Sequence, residues 1–312
     1  MSELERKLAG AGLVITGELP VVDGGGLDAV RQKLEQYAPW VDAVNATDNT
    51  AAHAHASNVA IAIALKLLGV EPIMQVVCRD KNRLAIQADI VGAALHGVEN
   101  ICCLTGDDVT AGDEQEARRV FDLDGPQVIV TAAAIARGQY LSGRAIDPAP
   151  HLFIGAVENP GAPPLAYRAH RALKKAHAGA RFLQLQICYE PAHLEAFCAE
   201  GARIGLFADT ALLPSICLVA GARPLEFMDA DVPGISVPAE TIERVKNAAD
   251  PRAEAFELAV EQAQHALAQP GVRGLHLISF RKDDAVGRLC ERLGIPPTKE
   301  RDASGHGSAV TV

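Results

Sequence analysis

The sequence predicts an α/β chain folded as a single (β/α)8 (TIM) barrel. Three observations carry this reading. Eight short apolar runs, many with β-branched residues, are spread along the 312 residues, and continuous runs of this kind suit parallel strands buried on both faces. Segments of helical character separate most of them, and alternation of strand and helix implies parallel pairing through right-handed crossovers. The first run ends in Gly17-Glu18-Leu19-Pro20, with no G-x-G-x-x-G and no Walker loop. A doubly wound nucleotide-binding sheet carries its phosphate loop at that place.

The runs fall at residues 13–19, 42–47, 72–78, 99–106, 152–157, 181–188, 214–220 and 274–279. Residues 27–37, 57–68, 82–95 and 165–178 read as amphipathic helices. The helix at 191–203 opens on Pro191, where a missing N–H costs nothing. Two helices, 238–248 and 252–268, follow the seventh run, and one, 283–293, follows the eighth. None is assigned between the fourth and fifth runs. A barrel of this kind forms one unit of roughly 250 residues, so residues 1–298 are expected to be the catalytic barrel and residues 299–312 a disordered tail.

Composition narrows the function. The chain carries 29 Lys and Arg against 39 Asp and Glu, a net charge of −10. The basic residues are scattered, which argues against a nucleic-acid partner. With 49% hydrophobic residues the chain can bury a core, unlike a disordered protein. No apolar run approaches the roughly 20 residues that span a bilayer, and MSELERKLAG has no apolar signal region. Most of the seven cysteines sit in runs such as ICCL and SICLV, and none forms a Cys-x-x-Cys pair. That pattern suits reduced thiols in a cytoplasmic protein without a zinc or iron–sulfur site.

In a barrel the chemistry stands at the carboxyl ends of the strands. The polar residues expected there are Glu18 after the first strand, then Asn45, Thr47, Asp48 and Asn49 after the second. Gln75, Cys78, Arg79 and Asp80 follow the third, and Thr105, Gly106, Asp107 and Asp108 the fourth. Glu158 and Asn159 close the fifth, Gln184 and Gln186 the sixth, Ser279 the eighth. Glu18 is the sharpest candidate. A partly desolvated glutamate at a barrel mouth has a raised pKa and can act as a general acid; alternatively it caps a loop or pairs with Arg79. Leu104-Thr105-Gly106-Asp107-Asp108 is either a close backbone approach to a ligand or a turn in which Asp accepts local N–H bonds. His53 and His55 have the look of a metal pair, but residues two apart at a helix start do not share a face. Lys175 reaches either a phosphate or water.

These residues, taken in order, resemble the methylenetetrahydrofolate reductase family, most of all its short bacterial form found in acetogens. The matching stretches are Ile15-Thr16-Gly17-Glu18, Asp42-Ala43-Val44-Asn45-Ala46-Thr47-Asp48-Asn49, Cys78-Arg79-Asp80-Lys81-Asn82-Arg83, Leu104-Thr105-Gly106-Asp107, Phe121-Asp122-Leu123-Asp124, Ile154-Gly155-Ala156, Ala178-Gly179-Ala180 with Gln184-Leu185-Gln186, and Val232-Pro233-Gly234. The resemblance implies a barrel with non-covalent FAD, a hydride taken from NADH or NADPH, and reduction of 5,10-methylenetetrahydrofolate to 5-methyltetrahydrofolate. It implies that Glu18 protonates the leaving nitrogen, that Asp107 stabilises the iminium beside the flavin, and that Gln186 binds the folate. Thr47, Gln75, Thr105, Gly106, Asp122, Asn159 and Lys175 are carried over as cofactor positions, Lys175 as the counter-charge to the diphosphate. Where the family often has an aromatic beside the flavin, this chain reads Val157-Glu158-Asn159-Pro160.

Two other functions fit the same residues. One is a flavin-independent reductase with direct hydride transfer from NADH; the other is a non-catalytic folate-binding subunit. The expected partners are a folate and a nicotinamide nucleotide, with a homo-oligomer or an electron-transfer subunit as further associations.

Overall fold

Alternating side chains along eight parallel strands divide the protein into an interior column and an outer jacket of helices. The structure is a computed structural model and describes residues 1–281 and 283–303. The strands are β1 (Val14–Glu18), β2 (Ala43–Ala46), β3 (Pro72–Val77), β4 (Asn100–Leu104), β5 (Phe153–Glu158), β6 (Phe182–Leu185), β7 (Ala211–Leu218) and β8 (Gly274–Ser279). They close in sequence order, β8 pairing back onto β1 with Thr16 opposite His276. This is the predicted (β/α)8 barrel.

The helices, in chain order, are α1 (Glu3–Ala9), α2 (Gly26–Leu34), α3 (Asn58–Leu67), α4 (Arg83–Ala94), α5 (Gly125–Ala136), α6 (Arg168–Ala178), α7 (Pro191–Arg203), α8 (Ala222–Asp231), α9 (Ala239–Lys246), α10 (Pro251–Leu267), α11 (Ala285–Arg292) and α12 (Thr298–Ala303). Outward strand residues such as Ile15, Val44, Met74, Ile101, Leu183 and Leu275 pack beneath this jacket in one buried cluster.

Three levels stack inside the barrel, because every second residue of a strand points inward. The lowest is apolar: Val14, Ala43, Ile73, Phe153, Phe182 and Leu213, closed from below by Leu4 and Leu8 of α1. Phe182 leans over Gly155, where an added Cβ would stand 2.2 Å from its ring, so a larger residue there requires the ring to shift. The middle level is polar. The amides of Asn45 and Gln184 exchange hydrogen bonds of 2.9 and 3.0 Å, and His276 lies 2.9 Å from the Thr16 hydroxyl. Buried polar groups are tolerable where they satisfy one another. The top level opens to solvent and holds the site.

Five elements differ from expectation. Helix α5 occupies the crossover left empty between the fourth and fifth runs; Asp124 starts it through a capping box with Gln127. Helix α1 is capped by Ser2, and α8 follows β7 directly. β7 begins at Ala211, three residues before the expected run. Residue 298 opens α12, whose Arg301 donates to Asp42 at 2.9 Å; the remainder of the expected tail, 304–312, lies outside the described residues. Among the described residues, no helix is long and apolar enough to cross a membrane, and the seven cysteines form no disulfide.

Candidate functional site

The top level opens into a cavity of about 730 Å3 at the carboxyl ends of the strands, within the range of small-molecule sites. Its polar lining includes Glu18 from β1, Gln75 from β3, Thr105, Gly106 and Asp107 after β4, and Gln184 and Gln186 at β6. Its apolar lining includes Ile187, Met228, Val232, Ile235, Phe227 and Phe280. The two phenylalanines are 57% and 71% exposed, flat surfaces onto which a ring can stack. Sequence reading missed both, since an isolated exposed Phe carries no pattern.

Glu18 is the last residue of β1 and its side chain is 22% exposed. Its carboxylate lies 3.7 Å from Nε2 of His276, which is itself buried. The alternative pairing with Arg79 does not occur; Arg79 is taken by Asp80 at 2.6 Å. His276 was not anticipated, because a lone histidine in GLHLIS reads as core. Its position opposite Thr16 and beside Gln184 places it beneath Glu18 and lets it support that carboxyl from below.

Asp107 follows Gly106, whose φ of +88° permits the sharp turn into the cavity. Burial pushes the Asp107 carboxyl above its ordinary 3.8, against the opposing pull of the Arg79 guanidinium. Gln186 also faces the cavity; its Oε1 accepts from the Ile187 N–H at 2.9 Å. Glu18, Asp107 and Gln186, chosen from sequence for proton donation, charge stabilisation and substrate binding, thus line one cavity.

Positive charge gathers on the flank formed by β5 and α6. Lys175 Nζ lies 2.7 Å from Oε2 of Glu158, with Arg168 at 3.5 Å and Arg171 at 3.7 Å from the same carboxylate. Three cations face one buried acid. Burial pushes the Lys175 ammonium below its ordinary 10.5, against the attraction of Glu158. Arg168 is further occupied by the Ala162 and Pro163 carbonyls, so the freest charge is on Arg171. Asn159 lines the cavity and donates to the Gly234 carbonyl at 2.7 Å.

Two carried-over positions lie apart from the cavity walls. Thr47 is buried. Asp122 accepts hydrogen bonds from Nε and Nη2 of Arg83, at 2.8 and 2.9 Å, near the start of α4. His53 and His55 bond to the backbone of their own loop, at Ala51, Ala56 and Thr50.

The methylenetetrahydrofolate reductase family model matches residues 27–294, beginning after β1 and so after Glu18. A search of curated proteins found no match. Among solved structures, the barrel is similar to an uncharacterized protein from Clostridium thermocellum that binds two copies of 5-methyl-5,6,7,8-tetrahydrofolic acid. The TM-score is 0.63 at 13% identity, over 93% of this chain and 97% of that one, a likeness of fold. From the family match across the whole span from α2 to α11, the chain belongs to the methylenetetrahydrofolate reductase family.

Proposed function

We propose that the protein reduces 5,10-methylenetetrahydrofolate to 5-methyltetrahydrofolate with a hydride from NADH or NADPH by way of bound FAD. The observation that carries this reading is the convergence of Glu18, Asp107 and Gln186 on one cavity whose lining is otherwise mostly apolar. Family membership and the folate bound by the similar barrel support it.

The substrate's five-membered ring holds its methylene carbon between two nitrogens. Hydride cannot land there until one carbon–nitrogen bond breaks, and breaking it needs a proton on the leaving nitrogen. Glu18 supplies that proton from the end of β1. The opened methylene is a cationic iminium, and the ionised Asp107 across the mouth offsets its charge. The Gln186 amide orients the pterin by hydrogen bonding, and the apolar lining with Phe227 and Phe280 excludes water from the reacting carbon.

The residues fit FAD in charge. Arg168, Arg171 and Lys175 outnumber Glu158 by two positive charges, which suits a diphosphate. Arg171 would meet it, while Gln75, Thr105, Gly106 and Asn159 would line the ring system. Bound there, FAD would supply two-electron hydride transfer between a nicotinamide and the folate. Association with an electron-carrying subunit or a second copy belongs to the same reading.

One observation favours direct transfer from NADH instead: Thr47 and Asp122, two of the positions carried over for FAD, do not line the cavity. An absorbance spectrum of the purified protein separates the two. The FAD reading expects yellow protein that bleaches anaerobically with NADH or NADPH and recolours with methylenetetrahydrofolate. Colourless protein that still makes methyltetrahydrofolate supports direct transfer, and colourless inactive protein removes both.

A further inference from the structure

Arg79 is among the largest fully buried side chains of the protein, yet it stands at the wall of an open cavity. Its guanidinium spends its donors on three different loops. Nη2 donates to the Asn49 carbonyl after β2 at 3.1 Å. Nε and Nη2 grip Asp80 after β3 at 2.7 and 2.6 Å. Nη1 donates to the Asp107 carbonyl after β4 at 3.0 Å. The Arg79 backbone carbonyl accepts from the Val120 N–H at 2.8 Å, which holds the returning limb of the β4 loop. Gly106 completes the fit: a Cβ there would stand 2.5 Å from Val77 Cγ1 and 3.3 Å from Arg79 Nη1. The β4 loop can therefore lie directly on the guanidinium.

We propose that Arg79 is a positioning residue, whose buried guanidinium holds the Asp107 backbone and so fixes where the Asp107 carboxylate stands in the cavity. The inference rests on the role given to Asp107 above. A planar fork with five donors can tie three loops at once; a lysine in its place keeps the charge but cannot span them. Arg79 also acts on Asp107 through its charge. The other charged groups on the surrounding elements are Asp48, held by Lys81, then Asp80, then Asp108, paired with Arg119, and Glu18 across the mouth.

The test uses Arg79→Lys and Arg79→Met in the full chain, each also combined with Asp107→Asn. Removing Arg79 leaves Asp80 partly exposed to water, and Met keeps most of the buried stem. Turnover of methylenetetrahydrofolate is measured with carboxyl 13C titration of Asp107. Both single variants are expected to lose roughly tenfold or more in kcat, and Arg79→Met is expected to move the Asp107 titration to higher pH. In the Asp107→Asn background the same substitutions should change kcat by less than about twofold, since the group they position is gone. Equal losses in both backgrounds would show a structural or direct ligand role and overturn the proposal, as would a wild-type titration and rate in Arg79→Met. If the wild-type protein makes no methyltetrahydrofolate, the functional reading fails. The titration still decides the tie: an unmoved Asp107 midpoint in Arg79→Met overturns it.

Discussion

Glu18→Gln isolates the proton from everything else the side chain does. Glutamine has the same length and nearly the same volume, and the only ionic neighbour near Glu18 in the described structure is His276 at 3.7 Å. A contact of that length on a side chain 22% exposed is worth at most about 1 kcal/mol, so the variant folds and melts close to wild type. A positioned general acid contributes roughly 10²–10⁴-fold, about 3–5 kcal/mol at 1.36 kcal/mol per decade. The expected result is a fall in kcat within that range, with KM moving by less than about tenfold. The assay is anaerobic quench followed by chromatography of methyltetrahydrofolate at saturating and limiting substrate. A variant with kcat within about threefold of wild type, or one impaired through KM alone, would refute proton donation by Glu18.

Three further outcomes follow from the packing and charge. Because the fold raises the Asp107 carboxyl by burial, it favours the protonated form, and stability from this group is lost as pH rises through its folded pKa. Asp107→Asn should therefore melt above wild type at pH 7, with the gap closing as pH falls toward 3.8; a gap that widens on acidification would contradict the sign. Gly155→Ala puts a methyl 2.2 Å from the Phe182 ring and should destabilise by about 1–3 kcal/mol in chemical denaturation, whereas an unchanged midpoint would show that the ring moves freely. Asp124→Ala removes the capping box of α5 and should destabilise by about 1 kcal/mol, read in the same assay.

Strand signals were the most legible part of the sequence, since a strand buried on both faces is apolar throughout. The same rule hid α5: GPQVIVTAAAIA is apolar nearly all round, so it lacks the helical stripe, and Asp124 with Gln127 was its available mark. Pro214 has the signature of a strand start, whereas in the barrel it pairs with Leu185 inside β7, which begins at Ala211. At the site, residues at strand ends could be collected from sequence because the architecture places them. Their partners could not. Glu18 faces His276, which comes from the far end of the chain, and Arg79 turns to Asp80 and to two loop carbonyls that no side-chain pattern encodes. Lys175 was identified as a cation at the cavity, but its pairing with the buried Glu158 depends on how α6 packs over β5.

The cavity is proposed to convert methylenetetrahydrofolate to methyltetrahydrofolate. The direct measurement is product analysis of the purified chain under anaerobic conditions, with NADH, NADPH and reduced viologen dye offered in turn as donors. Methyltetrahydrofolate is expected to form in step with donor oxidised for at least one of them. Absence of that product with all three, from protein that is folded and supplied with FAD, would contradict the proposal.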